Sequence, residues 1–175
     1  LTEIVASTSS LSSLLTVVEY IDQHGSQQDS ADLVQVLGST GPFTAFVPSN
    51  AAFDATLDLD GNGSFGSGDI SVLESQLGSA QAVADALYPV VANHVTSADE
   101  VLSTELTDGQ SISTLAGTGS AYGLTIDLNG GVTVTPSDSD YAATVTSADV
   151  QALNGVAHVI DTVLLDSDTT TALGL

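Results

Sequence analysis

The sequence predicts an α+β fold with helices gathered in the first half and strands in the second. Three observations carry this. Apolar residues recur at i, i+3, i+4 and i+7 through the first segments, then alternate with polar residues from about residue 100. Gly, Pro and Asn punctuate the chain at the spacing of short elements. Hydrophobic content is 42% over 175 residues, enough to bury one core without disulfides, and there is no Cys.

Taken in order, Ile4, Val5, Leu11, Leu14, Leu15, Val18 and Ile21 form one helical stripe, stopped at His24-Gly25. A polar stretch, Ser26 to Asp29, leads to a short helix over Ala31–Leu37 that ends at Gly38. Gly41-Pro42 is a turn, and Phe43–Val47 reads as a buried strand stopped by Pro48. Ser49 or Asn50 caps a helix that runs through Phe53. Ile70, Leu73 and Leu77 set the stripe of a further helix. Another spans Ala80–Leu87 and continues past Pro89 into Val90-Val91. Strands are expected at 112–115, 124–128, 132–134, 143–145 and 157–165, with Asn129-Gly130 as a two-residue hairpin turn. Residues 169–175 read as a tail of weak character, leaving 1–168 as one domain.

The residues between the third and fourth helices carry the most specific chemistry. Asp58-Leu59-Asp60-Gly61-Asn62-Gly63-Ser64-Phe65-Gly66-Ser67-Gly68-Asp69 has the register of an EF-hand calcium loop. Asp58, Asp60 and Asn62 hold positions 1, 3 and 5, each with a side-chain oxygen. Gly63 takes position 6, where the turn requires positive φ, and Ser64 at position 7 offers its carbonyl. Gly66 at position 9 leaves room for water, and Asp69 closes the loop where Glu is usual, as in dockerin-type loops. Phe65 is the expected anchor to the core. Calcium is therefore the expected cation, bound by Asp58, Asp60, Asn62, Ser64 and Asp69. The competing reading is a surface turn rich in Gly and Asp. Asn62-Gly63-Ser64 also matches a glycosylation sequon, and a glycan on Asn62 would exclude its use as a calcium ligand.

Charge narrows the function classes. The chain has 22 acidic residues, 17 Asp and 5 Glu, and neither Lys nor Arg, for a formal charge of −22. Phosphate recognition rests on Lys and Arg, so nucleic acid is excluded as a partner. An anionic membrane surface is repelled for the same reason. No run of 18 apolar residues exists, so no membrane insertion is expected. Self-repulsion must be met by hydration, salt or bound cations. A saline or calcium-rich extracellular setting fits, and freedom from cleavage at Lys and Arg would select the same composition. The missing initiator Met and signal pattern read as a mature or excised piece of a longer chain.

Two segments resemble the boxes of the fasciclin domain. Thr44–Phe53, TAFVPSNAAF, is similar to the first, and Asn154–Leu165, NGVAHVIDTVLL, to the second. Asn93-His94-Val95 stands where that family has Tyr-His-Val, and Asp108-Gly109 to Thr114-Leu115 fits the strand before its hairpin. The resemblance implies a β-sandwich wedge flanked by helices, with both boxes adjacent in the core. It also implies an extracellular adhesion or matrix module, non-enzymatic and often one domain of a larger surface protein. Asn93 departs from the family's Tyr, and the interval from Phe53 to His94 is longer than usual by roughly a dozen residues. The surplus coincides with 58–69, so the calcium loop reads as an insertion.

The expected function is a secreted or cell-surface adhesion, matrix or biofilm module stabilised by calcium. Its partner would be a surface or matrix protein or glycan, with weak self-association as a further expectation. A calcium-dependent glycan-binding module is the alternative, with Tyr88, Tyr122 and Tyr141 as candidate platforms. A hydrolase is the third reading, weakened by the lack of a G-x-S-x-G elbow. His94 and His158 fall in segments the fold buries, Asp161 is the candidate partner of His158, and His24 is expected in a solvated loop. Asp127, Asp138 and Asp140 form a second acidic group, read as a solvated loop after Pro136.

Overall fold

The computed structural model describes residues 2–26, 37–96, 99–116, 123–139 and 141–175. Helices α1 (Thr2–Ser7) and α2 (Ser12–His24) open the chain. Strand β1 (Phe43–Pro48) follows, then α3 (Asn50–Leu57), α4 (Ser67–Leu77) and α5 (Ala80–Asn93). Next come β2 (Val95–Thr96), β3 (Ser111–Ser113), β4 (Gly123–Asp127), β5 (Thr133–Pro136), β6 (Ala143–Ala152) and β7 (Gly155–Ile160). Helix α6 (Ser167–Leu173) closes the chain. The strands form one seven-stranded sheet in the order β2-β1-β7-β6-β5-β4-β3.

The two segments that resemble fasciclin boxes lie side by side, because β1 pairs parallel with β7 from Phe43↔Gly155 to Pro48↔Ile160. The approach is tight: a Cβ on Gly155, whose φ is 154°, would stand 2.0 Å from the Phe43 carbonyl oxygen. Only Gly fits there. Strand β1 sends alternate residues to two cores, as its period of two demands. Phe43, Ala45 and Val47 face the helices with Val17, Ile21, Phe53, Leu73 and Leu87, and Phe46 joins Leu124, Ile126, Val134, Ile160 and Leu164.

Several elements depart from the sequence reading. The first helical stripe is split: Thr8 is extended (φ −109°, ψ 109°) and a 3₁₀ turn covers Ser9–Leu11. The side chain of Asn50 secures the break by accepting from the Ser13 amide at 3.0 Å and donating to the Ser9 carbonyl at 3.0 Å. The helix expected over 31–37 lies outside the described residues except for Leu37, which is buried.

The β4–β5 connection pairs Asp127 with Thr133, so Asn129-Gly130 belongs to a five-residue turn, residues 128–132, rather than a two-residue one. Positive φ falls on Gly130 and Gly131. Strand β6 runs on to Ala152 through two register shifts, and Asp149 has φ 60° there. Strand β7 stops at Ile160. Beyond it Val163, Leu164 and Leu165 are buried without strand geometry.

The expected tail, residues 169–175, is instead mostly the helix α6. The Asp166 side chain caps it by accepting from the Thr169 amide at 2.6 Å, and Leu173 is buried. A cap and one apolar anchor are enough to dock a short helix that has little propensity of its own.

Candidate functional site: the acidic loop between α3 and α4

Helix α3, capped by the Ser49 hydroxyl accepting from the Ala52 amide, delivers the chain to Asp58, and α4 carries it away from Ser67. The loop between them is held to the core at both ends. Leu57 is fully buried, and Phe65 packs its ring 5.1 Å from that of Phe53. Phe65 is thus the anchor that its apolar character suggested. Its amide donates to Asp54 Oδ1 at 2.7 Å, a support that the loop pattern alone did not mark, since Asp54 lies before the first loop position.

Within the loop, the acids accept hydrogen bonds from backbone N–H groups rather than from any basic side chain. Asp58 Oδ1 accepts from the Asn62 amide at 3.1 Å, and its Oδ2 from the Gly63 amide at 3.0 Å. Asp60 Oδ1 accepts from the same Asn62 amide at 3.0 Å, and its Oδ2 from the Asn62 side-chain nitrogen at 2.7 Å. Asn62 Oδ1 takes both the amide and the hydroxyl of Ser64, each at 2.9 Å. Gly61 and Gly63 have φ of 74° and 88°, so the positive φ expected at Gly63 is present.

Asp69 is different in kind. It is fully buried, and both oxygens are engaged. Oδ1 accepts from the Leu59 amide at 2.6 Å and from the Asp60 amide at 3.1 Å, and Oδ2 from the Gly66 amide at 2.7 Å. One carboxylate therefore ties the start of the loop to the start of α4. It sits in the first turn of that helix, where negative charge meets the exposed N–H groups.

The arrangement brings Asp58, Asp60 and Asp69 together, with one oxygen of each within 4.8 Å of the others. Asn62 lies beside Asp60, with its amide nitrogen turned toward the carboxylate. Gly68 is a requirement that the ligand pattern did not mark. A Cβ there would stand 2.0 Å from Asp60 Oδ2, so any larger residue displaces that carboxylate. The second glycine of the run Gly66-Ser67-Gly68 was its only trace in the sequence.

The histidines serve the backbone. His94 is buried; Nδ1 donates to the Val90 carbonyl at 2.6 Å and Nε2 accepts from the Leu164 amide at 2.9 Å. Burial pushes its pKa down from 6.5 to about 4, against a smaller upward pull from the Val90 carbonyl. His158 is also buried and stacks on Phe46 at 5.5 Å. Its Nε2 donates to the Val101 carbonyl at 2.9 Å, and its Nδ1 accepts from the Asp149 amide at 3.3 Å.

Asp161 is not its partner: that carboxylate accepts from the Thr144 amide at 2.7 Å. The Ser103 hydroxyl donates to Asp149 Oδ2 at 2.5 Å, which with the Ser103 amide holds the Asp149 carboxyl below its usual range. In a Ser-His-Asp triad the hydroxyl donates to His, and here it donates to the acid. His24 is exposed at the end of α2, its ring 4.6 Å from that of Tyr20. Asn93, where the family has Tyr, is buried and accepts from the Thr114 hydroxyl at 3.1 Å.

Other candidates thin out. In the second acidic group, Asp127 Oδ1 accepts from the Asn129 amide and Asp138 Oδ2 from the Ser167 hydroxyl, while Asp140 lies outside the described residues. Tyr88 and Tyr141 are half-buried against the helical core, and Tyr122 lies outside the described residues. An apolar cavity beneath β1, lined by Val5, Leu14, Val18, Phe46 and His94 among others, measures about 60 Å³. Small-molecule sites run from roughly 300 Å³ upward. No described helix is long and apolar enough to cross a membrane.

A family model, "Fasciclin domain", matches residues 10–166. "Protein sll1483" of Synechocystis sp. is 36% identical over 136 residues, covering 78% of this chain and 62% of that one. A FAS1 domain pair from the insect cell adhesion molecule Fasciclin I is similar in structure, with a TM-score of 0.50 at 21% identity. That match covers 87% of this chain and 45% of the other. The chain thus spans less than two thirds of the length of either relative. Fasciclin domains are typically extracellular, adhesion-related modules that bind cell-surface partners and are generally not enzymes. With the parallel pairing of its two boxes and a family match over most of its length, this chain belongs to the fasciclin domain family.

Proposed function

We propose that this domain is a non-enzymatic, extracellular adhesion or matrix module of a larger surface protein, stiffened by a calcium ion in the 58–69 loop. The observation that carries the calcium reading is the convergence of Asp58, Asp60 and Asp69 to within 4.8 Å. Two oxygens bound to one calcium at about 2.4 Å each are at most about 4.8 Å apart, so these three fit a single ion. The donor set is all oxygen, as a hard cation prefers. On this reading half-buried Asp58, exposed Asp60 and buried Asp69 would each offer one carboxylate oxygen, and Ser64 its carbonyl. Asn62 joins only if its amide rotates, because its nitrogen now faces Asp60. Calcium would supply the counter-charge that a chain without Lys or Arg lacks.

On this reading the loop is an insertion on the adhesion fold, and the ion orders it rather than taking part in chemistry. The acidic surface suits a saline or calcium-rich exterior. Affinity should sit in the range of extracellular modules, roughly 10⁻⁴ to 10⁻³ M. The glycan alternative draws no support from Tyr88 or Tyr141, whose rings pack against the core.

Thermal melts test the proposal. At a hundredfold excess over the dissociation constant, calcium should stabilise the native domain by about 2.7 kcal/mol. For a chain of this size that raises Tm by about 5–10 °C. Melts that coincide in calcium and in chelator would overturn the calcium reading.

A further inference from the structure

Three of the asparagines precede glycine: Asn62-Gly63, Asn129-Gly130 and Asn154-Gly155. Such pairs share one spontaneous reaction, the main reason Asn counts as thermolabile. The glycine amide nitrogen gives up its proton to solvent base and attacks the side-chain carbonyl carbon of Asn. A C–N bond forms, the ring closes to a succinimide, and the side-chain nitrogen leaves as ammonia. Water then opens either ring carbonyl and yields aspartate or isoaspartate. The nitrogen must be free to turn toward the side chain, and the Asn amide must be free to leave.

The fold treats the three pairs differently. At Asn62 the attacking nitrogen of Gly63 donates to Asp58 Oδ2 at 3.0 Å. The Asn62 side chain is itself held by Ser64 and Asp60. At Asn154 the side-chain nitrogen donates to the Leu37 and Ser39 carbonyls at 2.7 and 2.8 Å. Gly155 is buried within β7, pressed against the Phe43 carbonyl. At Asn129 neither restraint exists. Asn129, Gly130 and Gly131 are all exposed, and among the described residues neither the Asn129 side chain nor the Gly130 nitrogen has a protein partner. Gly130, with φ 100°, carries no side chain to shield the attack.

We propose that Asn129 is the site of spontaneous deamidation in this domain, and that the fold protects Asn62 and Asn154. The product places a further carboxylate two residues from Asp127. In its isoaspartate form it adds a methylene to the main chain of the β4–β5 turn.

Ageing the intact chain in warm, mildly alkaline buffer tests this. Digestion with pepsin both quenches the reaction in acid and avoids trypsin, which has no Lys or Arg to cut. Mass spectrometry then reads each site. Asn129 should convert at least about tenfold faster than Asn62 or Asn154, the factor expected when one hydrogen bond must open first. In concentrated urea the three rates should converge. Comparable rates at the three sites of the native chain would overturn the proposal. So would an Asn129 lead that persists undiminished in urea, since sequence rather than fold would then set it.

Discussion

Asp69→Ala is expected to destabilise the domain by about 3–4 kcal/mol even in chelator, because the residue serves the fold before it serves any ion. Its buried carboxylate accepts from the amides of Leu59, Asp60 and Gly66. Hydrogen bonds to a charged acceptor are each worth about 1.5–3 kcal/mol, and a lost acceptor leaves the donors uncompensated. Water can reach part of the loop, which holds the total below the sum of three such bonds. Asp60→Ala should be nearly neutral in chelator. Asp60 is exposed and stands with Asp58 and Asp69 in a cluster that has no basic neighbour. Truncating it relieves like-charge repulsion and gives up its exposed hydrogen bonds to Asn62, two small opposing effects, so in chelator it should change stability by no more than about 0.5 kcal/mol. In calcium it should forfeit the gain that the intact loop shows. Urea titrations in chelator, with midpoints compared at equal slope, check both expectations.

The second large effect is a loss of stability in mild acid, centred on His94. In the folded chain its pKa is about 4, against 6.5 when it is free. The unfolded chain therefore binds the proton first as pH falls. The contribution of neutral His94 is complete above pH 6.5 and declines as pH drops toward 4. Over that window it amounts to about 3 kcal/mol, of which about 2 kcal/mol should be gone by pH 5. The structural cause is specific. Nε2 accepts from the Leu164 amide, so a proton there removes an acceptor and buries a charge.

The carboxylates oppose this trend. Their protonation relieves the −22 charge, but an ordinary Asp or Glu titrates near 4, so the window from pH 7 to 5 isolates the histidines, and a variant separates His94 from His24 and His158. His94→Gln should lower stability at pH 7 and flatten the slope across that window. An unchanged slope in the variant would assign the effect elsewhere.

Much of this molecule was legible in its sequence, and most of the misses share a cause. The two boxes were readable because each packs local signals into about ten residues: a strand, a Pro stop and the Ser49 cap in the first, an Asn-Gly turn and a strand in the second. The turn at Gly63 was readable because a positive-φ glycine is a local requirement, and Gly63 has the φ that was expected of it. Most of what stayed hidden depends on partners that only the folded chain brings together. The break after α1 is secured by Asn50, 37 residues beyond Ser13. The close packing at Gly155 is set by Phe43, and the need for Gly at 68 by the carboxylate of Asp60. Asp54 looks like an ordinary acid until its backbone partner is seen, and Asp69, marked as a loop ligand, did not show in the sequence that it also ties three backbone amides together. The terminal helix was missed because a single cap and Leu173 outweigh a Thr-rich segment of poor helix propensity.

Calorimetric titration of calcium into the intact domain, beside Asp58→Ala and Asp60→Ala, tests the central claim most directly. The expected result is one saturable site of roughly 10⁻⁴ to 10⁻³ M in the intact domain, with the heat lost in both variants. No saturable heat in the intact domain, or equal binding by all three proteins, would contradict it.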